Sequence, residues 1–154
     1  MKQFLLKNSL CFGFYAKTCV FQREPSDQDR VMQMTKGQVE AKISEAVSKF
    51  EIEYMGRGPK QIRTIIIQDL IIVRLIGFLS HSEQKLAESK QGVELIKKLR
   101  ATLFESARDH LESIIKEIID VDIISTHSDV STKTGEKIIV ITVGENLEER
   151  FSKT

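Results

Sequence analysis

Five consecutive residues, Gly56-Arg57-Gly58-Pro59-Lys60, carry the densest chemistry in this sequence. Glycines let a backbone approach a ligand closely. Successive backbone N–H groups can form a concave nest for an anion, and the guanidinium of Arg57 is a planar fork suited to phosphate or carboxylate. Lys60 adds a second cation, and Arg63 and Arg74 are near enough in the chain to add more. Gly56, Arg57, Gly58, Lys60, Arg63 and Arg74 therefore form the candidate ligand-binding set, with a small anion as its candidate ligand. A chain reversal explains the same five residues. Gly56 suits a left-handed helix cap, and Pro59 fixes an extended exit while restricting Gly58 before it. Arg57 and Lys60 follow a helix C-terminus, where the macrodipole favours cations and disfavours anions. Phosphate loops precede helices instead, and Lys60-Gln61 lacks the hydroxyl that follows the lysine of a Walker loop. Both readings stay open, whereas a nucleotide loop does not fit.

No catalytic constellation stands out elsewhere. His81, His110 and His127 lack metal-ligand spacing, and His110 reads as a boundary residue of a helix. Asp120 and Asp122 follow a helix end, and Asp129 and Gly135 read as turn residues. There is no Gly-x-Ser-x-Gly and no His-Glu-x-x-His. The expectation is a protein that is not an enzyme and carries no metal or cofactor.

The elements that must position these residues follow from periodicity. Val39, Ile43, Val47, Phe50 and Tyr54 recur at helical spacing, predicting a helix over about 37–54 that Gly56 ends. Ile62 to Leu79 is rich in β-branched residues and broken once, at Gln68-Asp69, which predicts two strands joined by a tight turn. Ser80 and Glu83 fit a capping box opening a short helix through Glu88. Gly92 reads as a break before a long helix over 93–119, with Ile96, Leu99, Leu103, Ala107, Leu111, Ile114 and Ile118 as its buried stripe. Residues 121–129 and 137–143 read as a second hairpin around a polar turn at 131–136, and the segment from Gly144 as a charged tail. The fold class is α+β, helices packed on a mostly antiparallel sheet, in the order α-β-β-α-α-β-β.

A turn at Gln68-Asp69 pairs Ile67 with Leu70, Ile65 with Ile72, and Arg63 with Arg74. One face then holds Ile65, Ile67, Leu70, Ile72, Ile76 and Phe78; the other holds Ile62, Ile66, Ile71, Val73, Leu75 and Leu79. An antiparallel sheet with one wet face alternates apolar with polar residues, and this hairpin does not. The helices can cover one face; a second copy of the chain is the economical cover for the other, so a homodimer or larger is expected. The Arg63–Arg74 pairing sets like charges opposite each other, which is unfavourable. It calls for a carboxylate such as Asp69 or one on the long helix, a bound anion, or a shifted register.

The chain has 154 residues, 41% hydrophobic and 29% charged, with a net charge of +1. This bounds one soluble domain with a real core and argues against a dedicated nucleic-acid binder. Residues 1–23 differ from the rest: four bases, no acid, both cysteines and four of the eight phenylalanines. A targeting segment, a membrane-surface anchor and an extension foreign to the working protein compete for it. Met32 and Met34 stand just before the first helix, so residues 1–34 are expected to be a poorly ordered or non-native extension and 35–151 the domain. That domain has no cysteine, which makes the cytoplasm the default location.

The order of motifs resembles the MpsC family. The resemblance rests on Gly56-Arg57-Gly58-Pro59-Lys60, on the block from Leu70 through Arg74, Gly77, Leu79, Ser80 and Glu83 to Leu86, and on the final hairpin with Asp129; it covers about Thr35–Phe151. It implies a small accessory or regulatory protein associated with a sodium-translocating, membrane-potential-generating or inorganic-carbon transport system. Membrane transport subunits are the implied partners, with a location peripheral to the membrane. The alternative function is a homodimeric sensor for an anion or other small ligand.

Overall fold

The computed structural model describes residues 34–152. The expectations placed on residues 1–33 lie outside them. Met34, counted above with the extension, packs into the main core at 9% exposure. Eight elements follow in order: α1 (Lys36–Met55), β1 (Gln61–Ile67), β2 (Leu70–Ile76), α2 (His81–Leu86), α3 (Lys90–Ile119), β3 (Ile123–Ser131), β4 (Glu136–Val143) and α4 (Leu147–Ser152). The strands form one antiparallel sheet in the order β1-β2-β4-β3.

A reciprocal capping box starts α1. Gln38 N donates to Thr35 Oγ1 and Thr35 N donates to Gln38 Oε1. Val39, Ile43, Val47 and Phe50 are buried, as their spacing predicts. Tyr54 is 39% exposed and stacks on Phe50 instead. Gly56, at φ 71°, ends the helix in the left-handed region. Capping also holds α2, where Glu83 N donates to Ser80 Oγ and Ser80 N to Glu83 Oε2.

The long helix departs from expectation in two ways. It starts at Lys90, capped by Ser89, so Gly92 lies within its first turn and is no break. Glycine is required there because a Cβ would sit 1.8 Å from the Leu86 carbonyl oxygen. The buried stripe is Ile96, Arg100, Phe104, Ala107, Leu111, Ile115 and Ile119. Leu99 is left 49% exposed. The stripe is rotated toward Arg100, whose charge hides it from a hydrophobic pattern.

The first hairpin has the expected register: Ile67 opposite Leu70, Ile65 opposite Ile72, Arg63 opposite Arg74. The inner face, with Ile66, Ile71, Val73 and Leu75, is buried under α1 and α3 together with Ile139 and Ile141 of β4. Phe78 and Leu79 belong to neither face. Gly77, at φ 72°, turns the chain away, and both side chains join Ile96 and Val130 in a second, smaller core. Asp129 is not a turn residue but lies within β3; the turn is built on Gly135, at φ 64°. The segment after Gly144 is not a tail. Asn146 Oδ1 accepts from the Glu148 and Glu149 amides to start α4, and Leu147 is fully buried.

Candidate functional site

The candidate ligand-binding residues fall into two neighbouring places. At the junction, the Arg57 Nη1 donates to the Leu79 carbonyl at 3.3 Å. Gly58 lies against α1, where an added Cβ would meet Ile52 Cγ1 at 3.0 Å. Lys60 N donates to the Ile76 carbonyl at 2.9 Å, and the Lys60 side chain lies over Gly77. Arg57 and Lys60 thus bind the incoming chain to the segment leaving β2. A surface cleft of about 480 Å³ opens beside them, lined by Lys60, Gly77, Leu79, Gln84, Lys133 and the Thr132–Gly135 turn.

Arg63 and Arg74 lie instead on the outer face of the sheet, in one cross-strand row. With Gln61, Ile62 and Ile76 they line a separate cleft of about 440 Å³. The partner of Arg74 is Glu136 of β4, neither Asp69 nor a carboxylate of the long helix. Glu136 faces Ile76, two residues after Arg74 in β2, and reaches back to Arg74 along the strand. Arg63 has no acidic partner among the described residues.

The sequence reading missed a third cluster. Lys137 Nζ donates to Glu51 Oε1 at 2.6 Å, and both side chains are fully buried. The ammonium also sits 4.9 Å from the centroid of the Phe104 ring. Burial pushes Lys137 below the usual lysine range, against the opposing pull of Glu51. Glu51 Oε2 has no hydrogen-bond partner. Close by in the fold, Arg100 makes a two-pronged contact with Glu83, at 2.9 and 2.8 Å, and lies over Phe78. Burial raises Glu83, but bonds from Ser80 and Arg100 outweigh it and hold the carboxyl below its ordinary value. Inward charges on β4 and α1 leave no trace in a hydrophobic pattern. The one available signal was the strand alternation that puts Lys137 on the same face as Ile139 and Ile141.

Among the described residues, no group of three or more His, Cys, Asp and Glu is placed to hold a metal ion. Nor is any helix long and apolar enough to cross a membrane. His110 packs on Phe50 and Tyr54 at the edge of the core, a boundary position as expected.

These features define a small α+β domain with helices on one face of its sheet, basic residues at the hairpin junction and a buried ion pair. The chain belongs to the MpsC family, described as a Na+-translocating membrane potential-generating system, which it matches over residues 35–145. It is similar to the uncharacterized protein YbcI of Bacillus subtilis (strain 168), 37% identical over 122 residues, covering 79% of this chain and 98% of the relative. A more distant relative, the uncharacterized protein YrhF of the same strain, is 22% identical over 109 residues, 70% of this chain and 89% of its own. No solved structure matches.

Proposed function

We propose that this chain is a non-enzymatic accessory or regulatory component of a sodium-translocating, membrane-potential-generating system, acting at the cytoplasmic side of the membrane. The family match over residues 35–145 carries the reading. It includes the Gly56–Lys60 junction and the whole sheet. Ion movement is assigned to membrane-embedded partners, and the domain's part is to bind and regulate them. The experiment is isolation of the tagged chain from its own host in mild detergent, paired with potential measurements in a deletion strain. Membrane transport subunits should co-purify, and the deletion should lower the sodium-dependent potential. Isolation of the chain alone, with an unchanged potential, overturns the reading.

A second reading, an anion sensor, is favoured by one observation: Arg63 and Arg74 share a cleft, and only Arg74 has an acidic neighbour. Phosphate and bicarbonate are the probes. The reading requires one of them to raise the melting temperature and Arg63→Ala to remove that rise.

A further inference from the structure

All the helices that pack on the sheet lie on its inner face, and the outer face has no cover among the described residues. The strand registers arrange that face in rows running β1, β2, β4, β3. The first row is Gln61, Ile76, Glu136, Ser131; the second is Arg63, Arg74, Ile138, Asp129; the third is Ile65, Ile72, Val140, His127; the last is Ile67, Leu70, Thr142, Ser125. Its centre, around Ile72, Ile138 and Val140, is apolar, with Ile138 38% exposed, and Ile67 at its corner is 44% exposed. Charge of opposite sign stands at its two edges within a single row, Arg63 on β1 and Asp129 on β3.

We infer that this face is a self-complementary interface, closed by a second copy of the chain about a two-fold axis parallel to the strands. The charges select that axis. Rotation about it exchanges the edges and preserves the rows, so β1 of one copy lies over β3 of the other and Arg63 faces Asp129 of the second copy. Symmetry makes this contact twice, as an isologous interface requires. The same operation lays Ile72 over Val140 and leaves Arg74 over Ile138. An axis perpendicular to the strands would instead keep β1 over β1 and set Arg63 and Arg74 among apolar residues. Stacked sheets lie about 10 Å apart with strands within about 30° of alignment, a gap that an arginine and an aspartate can span together. Asp129 is free to reach, its side chain 88% exposed and tied only by a 3.9 Å contact to Lys97. The arrangement also accounts for the Arg63–Arg74 juxtaposition, unfavourable within one chain, because the acid that Arg63 lacks comes from the second copy.

Four strands of this length present a flat footprint on the order of 450 Å² per copy. Side-chain relief enlarges this, placing the contact at the lower end of specific interfaces. The dimer should therefore be concentration-dependent. This inference concerns self-assembly and stands apart from the membrane role.

The test is the mass of the full chain by sedimentation across the micromolar range. Wild type should approach twice the chain's mass. Arg63→Glu and Asp129→Arg should each weaken the dimer by at least about tenfold, since each sets like charges face to face. Combining the two should restore it to near wild-type affinity. Arg63→Glu relieves the repulsion from Arg74 within the chain, so a lost dimer cannot be ascribed to a damaged fold; far-UV circular dichroism checks this. Ile72→Glu, at the centre of the face, should abolish the dimer. A wild-type monomer at high micromolar concentration overturns the inference, including one that instead floats with lipid vesicles. So does a dimer indifferent to Ile72→Glu. Weakening by both single variants without rescue by the pair overturns the strand-parallel axis.

Discussion

Glu51 and Lys137 meet where neither side chain touches solvent, and one carboxylate oxygen has no partner at all. Removing two charges from water costs several kcal/mol per ion, and mutual attraction repays this only with good geometry. The pair is therefore weak evidence for stability, yet breaking it is severe. Lys137→Met should destabilise the chain by about 3–5 kcal/mol, because it leaves Glu51 charged, buried and alone. Glu51→Leu combined with Lys137→Met should recover most of that loss, read from urea unfolding of the two variants. A single variant as stable as wild type would mean that water reaches the carboxylate. Arg100 and Glu83 behave differently because Glu83 is held in its charged form by Ser80 and Arg100. A carboxyl whose folded value lies below its ordinary value of 4.5 contributes stability that is present above that value. The contribution is lost as pH falls through the folded value. Glu83→Gln should accordingly lower stability at neutral pH and flatten its fall below pH 4.5, measured as unfolding midpoints against pH. The other lowered carboxyls, Glu45, Asp122 and Glu148, sit in exposed pairs and should add little.

Among the elements, the junction of α2 with α3 has the least room. Alanine is the better helix former by about 1 kcal/mol, so Gly92→Ala on an open helix would stabilise. Here the Cβ would collide with the Leu86 backbone, and backbone cannot swing aside like a side chain. Overpacking of this kind costs about 1–3 kcal/mol or more, so Gly92→Ala should lower the melting temperature; a rise would show that α2 moves freely. Gly56→Ala has open space around it and meets only the cost of its left-handed backbone, about 1–2 kcal/mol. How each element could be read from sequence follows the same local logic. The β1–β2 register was legible because Gln68-Asp69 is the polar break between the apolar runs Ile65–Ile67 and Leu70–Val73, which places the turn there. The α1 face was legible because its apolar residues repeat without exception through Phe50. The α3 stripe was not, because Arg100 occupies a core position on the strength of Glu83 and Phe78, partners distant in sequence. Of the candidate site, the arginine pair was legible through that register. The fate of Arg57 and Lys60 was not, since it depends on Gly77 redirecting the chain toward them.

On the scale of the whole molecule, the match to the family and the extent of the core do not coincide. The family match ends at residue 145, yet the main core includes Leu147 and draws on Phe151. α4 closes the end of the sheet where β1 turns into β2. Leu147 N donates to the Gln68 carbonyl at 2.8 Å, and Val143 N to the Asp69 carbonyl at 2.9 Å. Lys36 Nζ pairs with Glu148 Oε1 at 2.8 Å, tying the first described helix to the last. Since that pair is half exposed, its own worth is small; the buried leucine carries the closure. Leu147→Ala should cost about 2–5 kcal/mol, the range for emptying a buried leucine site, whereas Lys36→Ala should cost under about 1 kcal/mol. A chain ending at Gly144 loses the leucine, the cap on the turn and the cover over β1 together. It should unfold at markedly lower urea concentration than either substitution, in one transition, because the lost contacts belong to the single main core. If the truncated chain keeps the wild-type midpoint, the fold is complete within residues 34–144 and α4 is an appendage.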